Sequence, residues 1–260
     1  MSSESETSGE SAAAPDSDGS AAKSEKKNRS FLRELPILIL VALVLSFFLK
    51  TFIAWVYVIP SESMEPTLHG CEGCTGDRMV VEKISYRFGD PQPGDVVVFR
   101  GPESWSRDFV STRSSNTVIR GVQELGSLVG LVPPDEKALV KRVIATGGQT
   151  VECCDDQGRV LVDGKPLDEP YVVMDFPFVP GSQTCETAVK SARCFGPVTV
   201  PEGNFWMMGD NRSSSADSRY RVGDELQGTI PLDNVIGKAV FIVLPPSRMG
   251  TISSHDIQGT

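Results

Sequence analysis

Two serines stand in the short polar stretch IPSESMEPTLHG, Ile59 to Gly70, which follows a long apolar run. A serine hydroxyl is a weak nucleophile until a nearby base accepts its proton, and the best-known base is a histidine oriented by a carboxylate. This chain has only two histidines: His69 lies six residues after Ser63, and His255 lies in a polar tail. Neither makes a convincing base, so a nucleophilic serine here requires a different partner.

Lysine is the alternative base, and Lys141 in the apolar stretch ALVKRVIA is the strongest candidate. Because side chains alternate along a strand, Lys141 and Arg142 face opposite sides, so one can be buried while the other is solvated. A free lysine has a pKa of about 10.4, and a basic role requires apolar neighbours to lower it by about 3 units, or about 4 kcal/mol. Leu139 and Val143, on the same strand face as Lys141, could do so.

A third polar stretch, GDNRSSSADSR, runs from Gly209 to Arg219 directly after the apolar FWMMG. Its two aspartates and two arginines are spaced for charge pairing. Taken alone, the stretch is also compatible with a solvated turn.

The elements that must position these residues are mostly strands. Short runs rich in valine and isoleucine, bounded by Gly, Pro or Asp, predict an all-β domain: DRMVVEKISYRF, GDVVVFR, ALVKRVIAT, QTVEC, RVLVDGKPL, GPVTVPEGNFWMMG and VIGKAVFIVLP. The sequence DGK, Asp163 to Lys165, predicts a hairpin turn.

One segment differs: Thr117 to Val132 has apolar residues at helical spacing, although it contains three glycines. It could be a core-packed helix, a loop, or an apolar flap that touches a bilayer.

The N-terminal part of the chain predicts a membrane anchor. Residues 1–30 are polar and charged and are expected to be disordered. The run LPILILVALVLSFFLKTFIAWVYVI has Lys50 as its only charge and would extend about 37 Å as a helix, so residues 31–59 are expected to span a bilayer. Lys50 would snorkel to the outer interface, where Trp55 and Tyr57 would lie.

Basic residues before the span predict a cytoplasmic N-terminus and an extracytoplasmic remainder. They are Lys23, Lys26, Lys27, Arg29 and Arg33. A cleaved secretory signal peptide is the alternative, but the length of the run and the lack of a small-x-small site after it favour a retained anchor.

The net charge of -9 argues against nucleic acid as a partner.

Six cysteines, all beyond residue 70, suit a domain outside the cytoplasm, where disulfides form. Cys185 and Cys194 flank a short loop and are the easiest pair to bridge. The other four could instead form a four-thiolate zinc site: Cys71, Cys74, Cys153 and Cys154.

In this order, behind an N-terminal anchor, the motifs PSESMEPTL, KRV and GDNRSSSADSR resemble those of the bacterial type I signal peptidases, serine-lysine endopeptidases that remove signal peptides from exported proteins. The resemblance extends from the anchor to about residue 245. It implies that Ser63 is the nucleophile and Lys141 the general base. It also implies that Ser61 contributes to the oxyanion hole with the backbone N–H of Ser63, and that Ser215 orients the lysine. Two ion pairs beside the site are implied as well: Asp217 with Arg219, and Asp210 with Arg142.

The resemblance further implies a mainly β catalytic domain, residues 60–250, with a smaller inserted β domain at about 151–198. Residues 251–260 would form a flexible tail. Preproteins would bind in extended form with small residues at the first and third positions before the cut, beside membrane lipid and the export machinery. No cofactor or metal is implied.

Three other classes of protein remain as alternatives. A self-cleaving repressor of the SOS type uses the same chemistry, but it carries a DNA-binding domain where this chain has an anchor. An anchored, non-catalytic binding domain would have lost part of the motifs, which are all present here. A cysteine transpeptidase needs a cysteine with a histidine and an arginine, for which His69 beside Cys71 is a weak candidate.

Overall fold

The structure is a computed structural model that describes residues 34–45, 54–71, 74–105, 114–128 and 138–259. The chain forms two compact units, Met1–Leu45 and Ser46–Thr260. In the first unit, residues 34–45 are helical (α1). Among the described residues, no helix combines the length and apolar character needed to cross a membrane. The expected N-terminal tail, residues 1–30, lies outside the described residues, as do residues 31–33 and 46–53 of the expected span.

The C-terminal end of the expected span is a strand, which corrects its boundary at residue 59. β1, Ala54–Val58, pairs antiparallel with β2, Arg78–Glu82. Its sequence AWVYV consists mainly of aromatic and β-branched residues, which favour a strand when a partner strand is available. Ile59, directly after β1, is buried in the core of the second unit.

The mainly β fold predicted from the sequence is confirmed. The main sheet has the strand order β1-β2-β11-β3-β4-β9-β10, with β12 on β11, and all its pairs are antiparallel. The strands after β2 are β3 Val96–Arg100, β4 Ala138–Thr146, β9 Asn204–Met208, β10 Ile230–Pro231, β11 Val235–Leu244 and β12 Gly250–Thr251. The first four residues of β3 are all buried, as their continuous apolar sequence indicates.

A second, four-stranded sheet has the order β7-β6-β5-β8. Its strands are β5 Thr150–Cys153, β6 Val160–Val162, β7 Lys165–Pro166 and β8 Phe195–Thr199. β6 and β7 form the hairpin predicted from DGK, with Asp163 and Gly164 both at positive φ, as a two-residue turn requires. One apolar cluster joins the sheets, because Val151 and Val198 share it with Trp206 of β9.

Two short helices belong to the second unit, α2 Ser85–Phe88 and α3 Thr117–Leu128. The strand predicted to continue to Phe88 therefore ends early. The Glu82 carboxylate accepts hydrogen bonds from the N–H groups of Ile84 and Ser85, at 2.8 and 3.0 Å, which starts a helical turn. There are also six 3₁₀ turns in the described residues: Glu62–Met64, Glu103–Trp105, Arg212–Ser214, Ser218–Arg221, Leu232–Asn234 and Pro246–Arg248.

The expected flexible C-terminal tail instead packs onto the domain through residue 259. Ile257 is buried in the same apolar cluster as Trp206. The side chain of Gln258 donates a hydrogen bond to the carbonyl of Ile144, at 3.1 Å. The polar sequence SSHDIQGT obscured this packing because Ile257 is its only apolar residue.

The cysteines pair locally. The expected bridge between Cys185 and Cys194 is confirmed. The four-thiolate zinc alternative is wrong, since its members form two separate disulfides: Cys71–Cys74 and Cys153–Cys154.

Candidate active site

Ser63 and Lys141 come from distant parts of the chain and meet in the structure. Ser63 lies in the 3₁₀ turn Glu62–Met64 just after β1, and Lys141 lies in the middle of β4. The Ser63 Oγ and Lys141 Nζ atoms are 2.7 Å apart. Their exposed fractions are 9% and 5%, so the contact is shielded from bulk water.

Ser61 and the backbone around Ser63 complete the serine side of the site. The Ser61 Oγ and Ser63 Oγ atoms are 3.3 Å apart. The carbonyl of Ser63 accepts a hydrogen bond from the backbone N–H of Asn211, at 3.2 Å. The third polar motif therefore holds the turn that carries Ser63.

Burial changes the acid-base behaviour of Lys141. The loss of solvent around its ammonium lowers its pKa to about 8, although the carboxylates of Asp217 and Asp210 oppose this shift; the positive charge of Arg219 lowers it further. The Nζ atom also donates a hydrogen bond to the carbonyl of Val140, at 2.9 Å. A substantial fraction of this lysine is thus neutral just above neutral pH.

Arg142 forms a fully buried ion pair with Asp210. Its Nε and Nη2 atoms donate to the two carboxylate oxygens, at 2.9 and 2.6 Å. The remaining N–H groups point to the carbonyls of Gly94 and Ser253, at 2.7 and 3.2 Å, and to Thr67 Oγ1, at 3.4 Å. All five donors have partners, which is the condition for burying a guanidinium. Sequence reasoning allowed one of Lys141 and Arg142 to be solvated, but both are buried.

Asp217 and Arg219 form the second ion pair, with two N–H···O contacts of 2.8 Å. Asp217 also accepts a hydrogen bond from the N–H of Gly209, at 3.0 Å. Burial alone would raise the pKa of Asp217, but the hydrogen bonds and charge of Arg219 hold that pKa below its usual range. Asp217 is therefore a buried carboxylate near Lys141.

Ser215 is 3% exposed and lies against Gly209. A Cβ atom built on Gly209 would be 2.3 Å from Ser215 Oγ and 2.4 Å from the carbonyl oxygen of Ser63. Only glycine at this position lets Ser215 approach the turn that carries Ser63. No hydrogen bond within 3.5 Å joins Ser215 to Lys141 in the described part of the chain, so the implied orienting contact is not formed directly.

The two histidines are engaged elsewhere. The Nδ1 atom of His69 bonds to the carboxylate of Glu65, and the ring of His255 lies 5.4 Å from that of Tyr171. Among the described residues, neither histidine has a hydrogen bond to Ser63 or Lys141.

Sequence reasoning missed several supporting residues around Arg142. Gly94, Thr67 and Ser253 supply the other acceptors of Arg142. The centre of the Tyr171 ring lies 3.9 Å from the guanidinium carbon of Arg142. No local pattern marks these residues, because each lies at least 29 positions from Arg142 along the chain. Only the folded sheet brings them together.

The chain is similar over most of its length to proteins of one known family. The chain matches the family model for signal peptidase, peptidase S26, over residues 32–244. It is 54% identical over 254 residues to a probable signal peptidase I of Mycobacterium leprae, covering 90% of this chain and 84% of that protein. It is 53% identical over 260 residues to signal peptidase I of Mycobacterium tuberculosis, covering 95% and 86%. A probable signal peptidase I-1 of Synechocystis is 37% identical over 224 residues, covering 86% and 88%. The buried serine-lysine contact therefore lies in a chain that belongs to the signal peptidase family, peptidase S26.

Proposed function

We propose that Ser63 and Lys141 form the catalytic dyad with which this chain removes N-terminal signal peptides from exported preproteins. Removal of signal peptides by a serine peptidase is the activity of the family to which the chain belongs. The observation that carries the assignment of the dyad is the buried 2.7 Å contact between Ser63 Oγ and Lys141 Nζ. It pairs a hydroxyl with a base whose pKa is lowered toward neutrality.

In the first step, the neutral amine of Lys141 accepts the proton of the Ser63 hydroxyl as Oγ attacks the scissile carbonyl carbon. The negative charge that develops on the carbonyl oxygen is stabilised by the hydroxyl of Ser61 and the backbone N–H of Ser63. Lys141 then passes its proton to the leaving amine. The mature protein departs, and the signal peptide remains as an ester on Ser63.

In the second step, Lys141 accepts a proton from a water molecule that attacks the ester carbonyl. The Ser63 oxygen leaves and takes the proton back, which frees the signal peptide.

Asp210 and Asp217 act as positioning residues. Asp210 holds Arg142, the neighbour of Lys141 in β4, and Asp217 holds Gly209 behind Ser63.

Two open strand edges support binding of an extended substrate. Among the described strands, β1 pairs only with β2, and the first part of β4, Ala138 to Lys141, pairs only with β3. β1 leads to Ser63 within five residues, and the open part of β4 ends at Lys141. A preprotein segment that added to these edges would present its peptide bond to the dyad.

The proposal extends to the surroundings of the enzyme. We place residues 31–53 in the membrane as a retained anchor, with the N-terminus in the cytoplasm and the catalytic domain outside, next to lipid and the export machinery. The apolar sequence and the basic residues before it support this topology. We also assign the second sheet, with strands between Thr150 and Thr199, to the inserted domain that the resemblance implies.

Cleavage of a preprotein by detergent-solubilised full chain tests the function, with the cut site mapped by mass spectrometry. Ser63→Ala should abolish cleavage, while the unfolding midpoint stays close to that of the wild type, because a single hydroxyl is lost. Ser213→Ala is a matched control, since Ser213 is an exposed serine of the third motif, and it should cleave normally. Cleavage by Ser63→Ala above a tenth of the wild-type rate would refute the assignment.

A further inference from the structure

We infer that helix α3 lies on the surface of the bilayer, with Val118, Ile119 and Val122 inserted among the lipids. The inference rests on the membrane topology of the proposed function and adds a second site of membrane contact to it. The three side chains are 75%, 51% and 65% exposed. An apolar face that is largely exposed is what a membrane-surface helix presents.

The helix has a water-facing side as well. Arg120 and Glu124 are each 60% exposed and form an ion pair at 3.1 Å. In helical projection they lie opposite the apolar residues. The start of the helix is stabilised locally, because Asn116 Oδ1 accepts hydrogen bonds from the N–H groups of Val118 and Ile119, at 3.0 and 3.4 Å. Asn116 therefore caps the first turn of α3.

The register of the main sheet shows at which edge this segment lies. Five residues form one row across five strands, through the pairs Ala54–Glu82, Glu82–Lys238, Lys238–Val97 and Val97–Lys141. The chain enters β1 at Ala54 from one side of this row. On that same side, β3 ends and β4 begins three residues beyond the row, at the pair Arg100–Ala138. The segment that carries α3 therefore departs from the edge at which the chain arrives from the apolar run.

Side chains at this edge are of the type found at membrane interfaces. The Nζ atom of Lys83, directly after β2, lies 4.3 Å from the centre of the Trp55 ring. Tryptophan and lysine concentrate where the headgroups meet water. Because the anchor holds the domain at the bilayer, three apolar side chains are enough to make contact with it, although they could not hold a free protein there.

The occupant that these observations favour is lipid and not a second protein. The apolar face is short, and the segment that carries it leaves the main sheet at the edge where the chain arrives from the apolar run. A bilayer contact at this edge would set the distance of the Ser63 and Lys141 pair from the membrane, which is where a signal peptide emerges.

Spin labels on α3 test the inference directly. All six native cysteines are in disulfides, so a single introduced cysteine can be labelled without a reductant. We would label V118C and V122C on the apolar face, and R120C and E124C as matched controls, in full chain reconstituted in lipid nanodiscs. Relaxation by oxygen, which concentrates in lipid, is compared with relaxation by a water-soluble nickel complex.

The labels at Val118 and Val122 should be relaxed mainly by oxygen, and those at Arg120 and Glu124 mainly by nickel. Equal exposure of all four labels to nickel would overturn the inference. Protection of Val118 and Val122 from both reagents would also overturn it, because it would indicate burial against protein. Preprotein cleavage by the same samples separates the two proposals. If the enzyme is active but the labels at Val118 and Val122 are exposed to water, only the membrane contact is refuted. If unlabelled wild type does not cleave preproteins, the proposed function itself is refuted.

Discussion

Replacing Lys141 by methionine should abolish cleavage and, at neutral pH, slightly stabilise the protein. Methionine is similar in volume to lysine and carries no charge, so it can occupy the same buried space. Catalysis is lost because the thioether cannot accept the proton of Ser63. The change in stability follows from the pKa of the lysine.

The magnitude can be worked out from two opposing effects. Burial lowers the pKa of Lys141 from 10.5 to about 8, so keeping the protonated lysine inside costs about 3 kcal/mol at pH 7. Methionine removes this cost. It also removes the hydrogen bonds of Nζ to Val140 and Ser63, worth roughly 1 kcal/mol each. The variant should therefore be more stable than the wild type by roughly 1 kcal/mol at pH 7.

The sign of this difference should reverse as the pH rises. Well below pH 8 the lysine is protonated in both the folded and the unfolded chain, and the folded state carries the full cost. Between about 8 and 10.5 the unfolded chain binds more protons, so the free energy of unfolding of the wild type rises with pH. At pH 10 most of the cost has gone, and Lys141→Met should be less stable than the wild type by roughly 1 kcal/mol.

Urea unfolding of both proteins in the same mild detergent, at several values between pH 7 and pH 10, measures the difference. Other titrating groups cancel between the two curves. Lys165→Met, which removes an exposed lysine of β7, is the matched control and should follow the wild type at every pH. A constant offset between Lys141→Met and the wild type would refute the lowered pKa. Cleavage by Lys141→Met would refute the role of this lysine as the base.

Other consequences of the structure can be tested with the same assays. The rate of cleavage by the wild type should rise with pH through about 8, where Lys141 loses its proton, and a rise through a histidine pKa instead would point to another base. Ser61→Ala should slow cleavage on the order of 10²-fold with little change in the unfolding midpoint; an unchanged rate would exclude Ser61 from the oxyanion hole. Gly209→Ala should lose both activity and stability, because its Cβ would clash with the carbonyl of Ser63; wild-type cleavage by this variant would contradict the observed packing. Asp210→Asn should lower the free energy of unfolding by about 3 to 5 kcal/mol, since it leaves the buried guanidinium of Arg142 without its counter-charge, and a loss below about 1 kcal/mol would show that the pair is solvated.

Local sequence was sufficient to predict strands that are buried on both faces. β4 was predicted with the bounds that the structure shows, Ala138–Thr146, because its long apolar run leaves no other economical conformation. The hairpin at Asp163 and Gly164 was also predictable, since Asp-Gly is a preferred sequence for a two-residue turn in which both residues have positive φ. The disulfide between Cys185 and Cys194 followed from the short loop between them.

Elements with a choice of partner were harder to predict. The sequence AWVYV continues an apolar run and is compatible with a helix, but pairing with β2 makes it β1. The polar C-terminal tail has no pattern of its own and is held by the buried side chain of Ile257 and by hydrogen bonds such as that of Gln258 to Ile144. In both places a contact with a distant element decides the conformation, and propensity alone does not.

The sequence by itself determined the residue types of the site and their order, and it showed that Lys141 had to lose solvent to act as a base. Only the tertiary structure decided what desolvates that lysine and what surrounds it. It brings Ser63 to within 2.7 Å of Nζ, buries Arg142 with acceptors from three other segments, and leaves Ser215 beside Gly209 without a direct bond to the lysine. Distances of this kind depend on the register of strands far apart in the chain, and a local sequence pattern carries no information about that register.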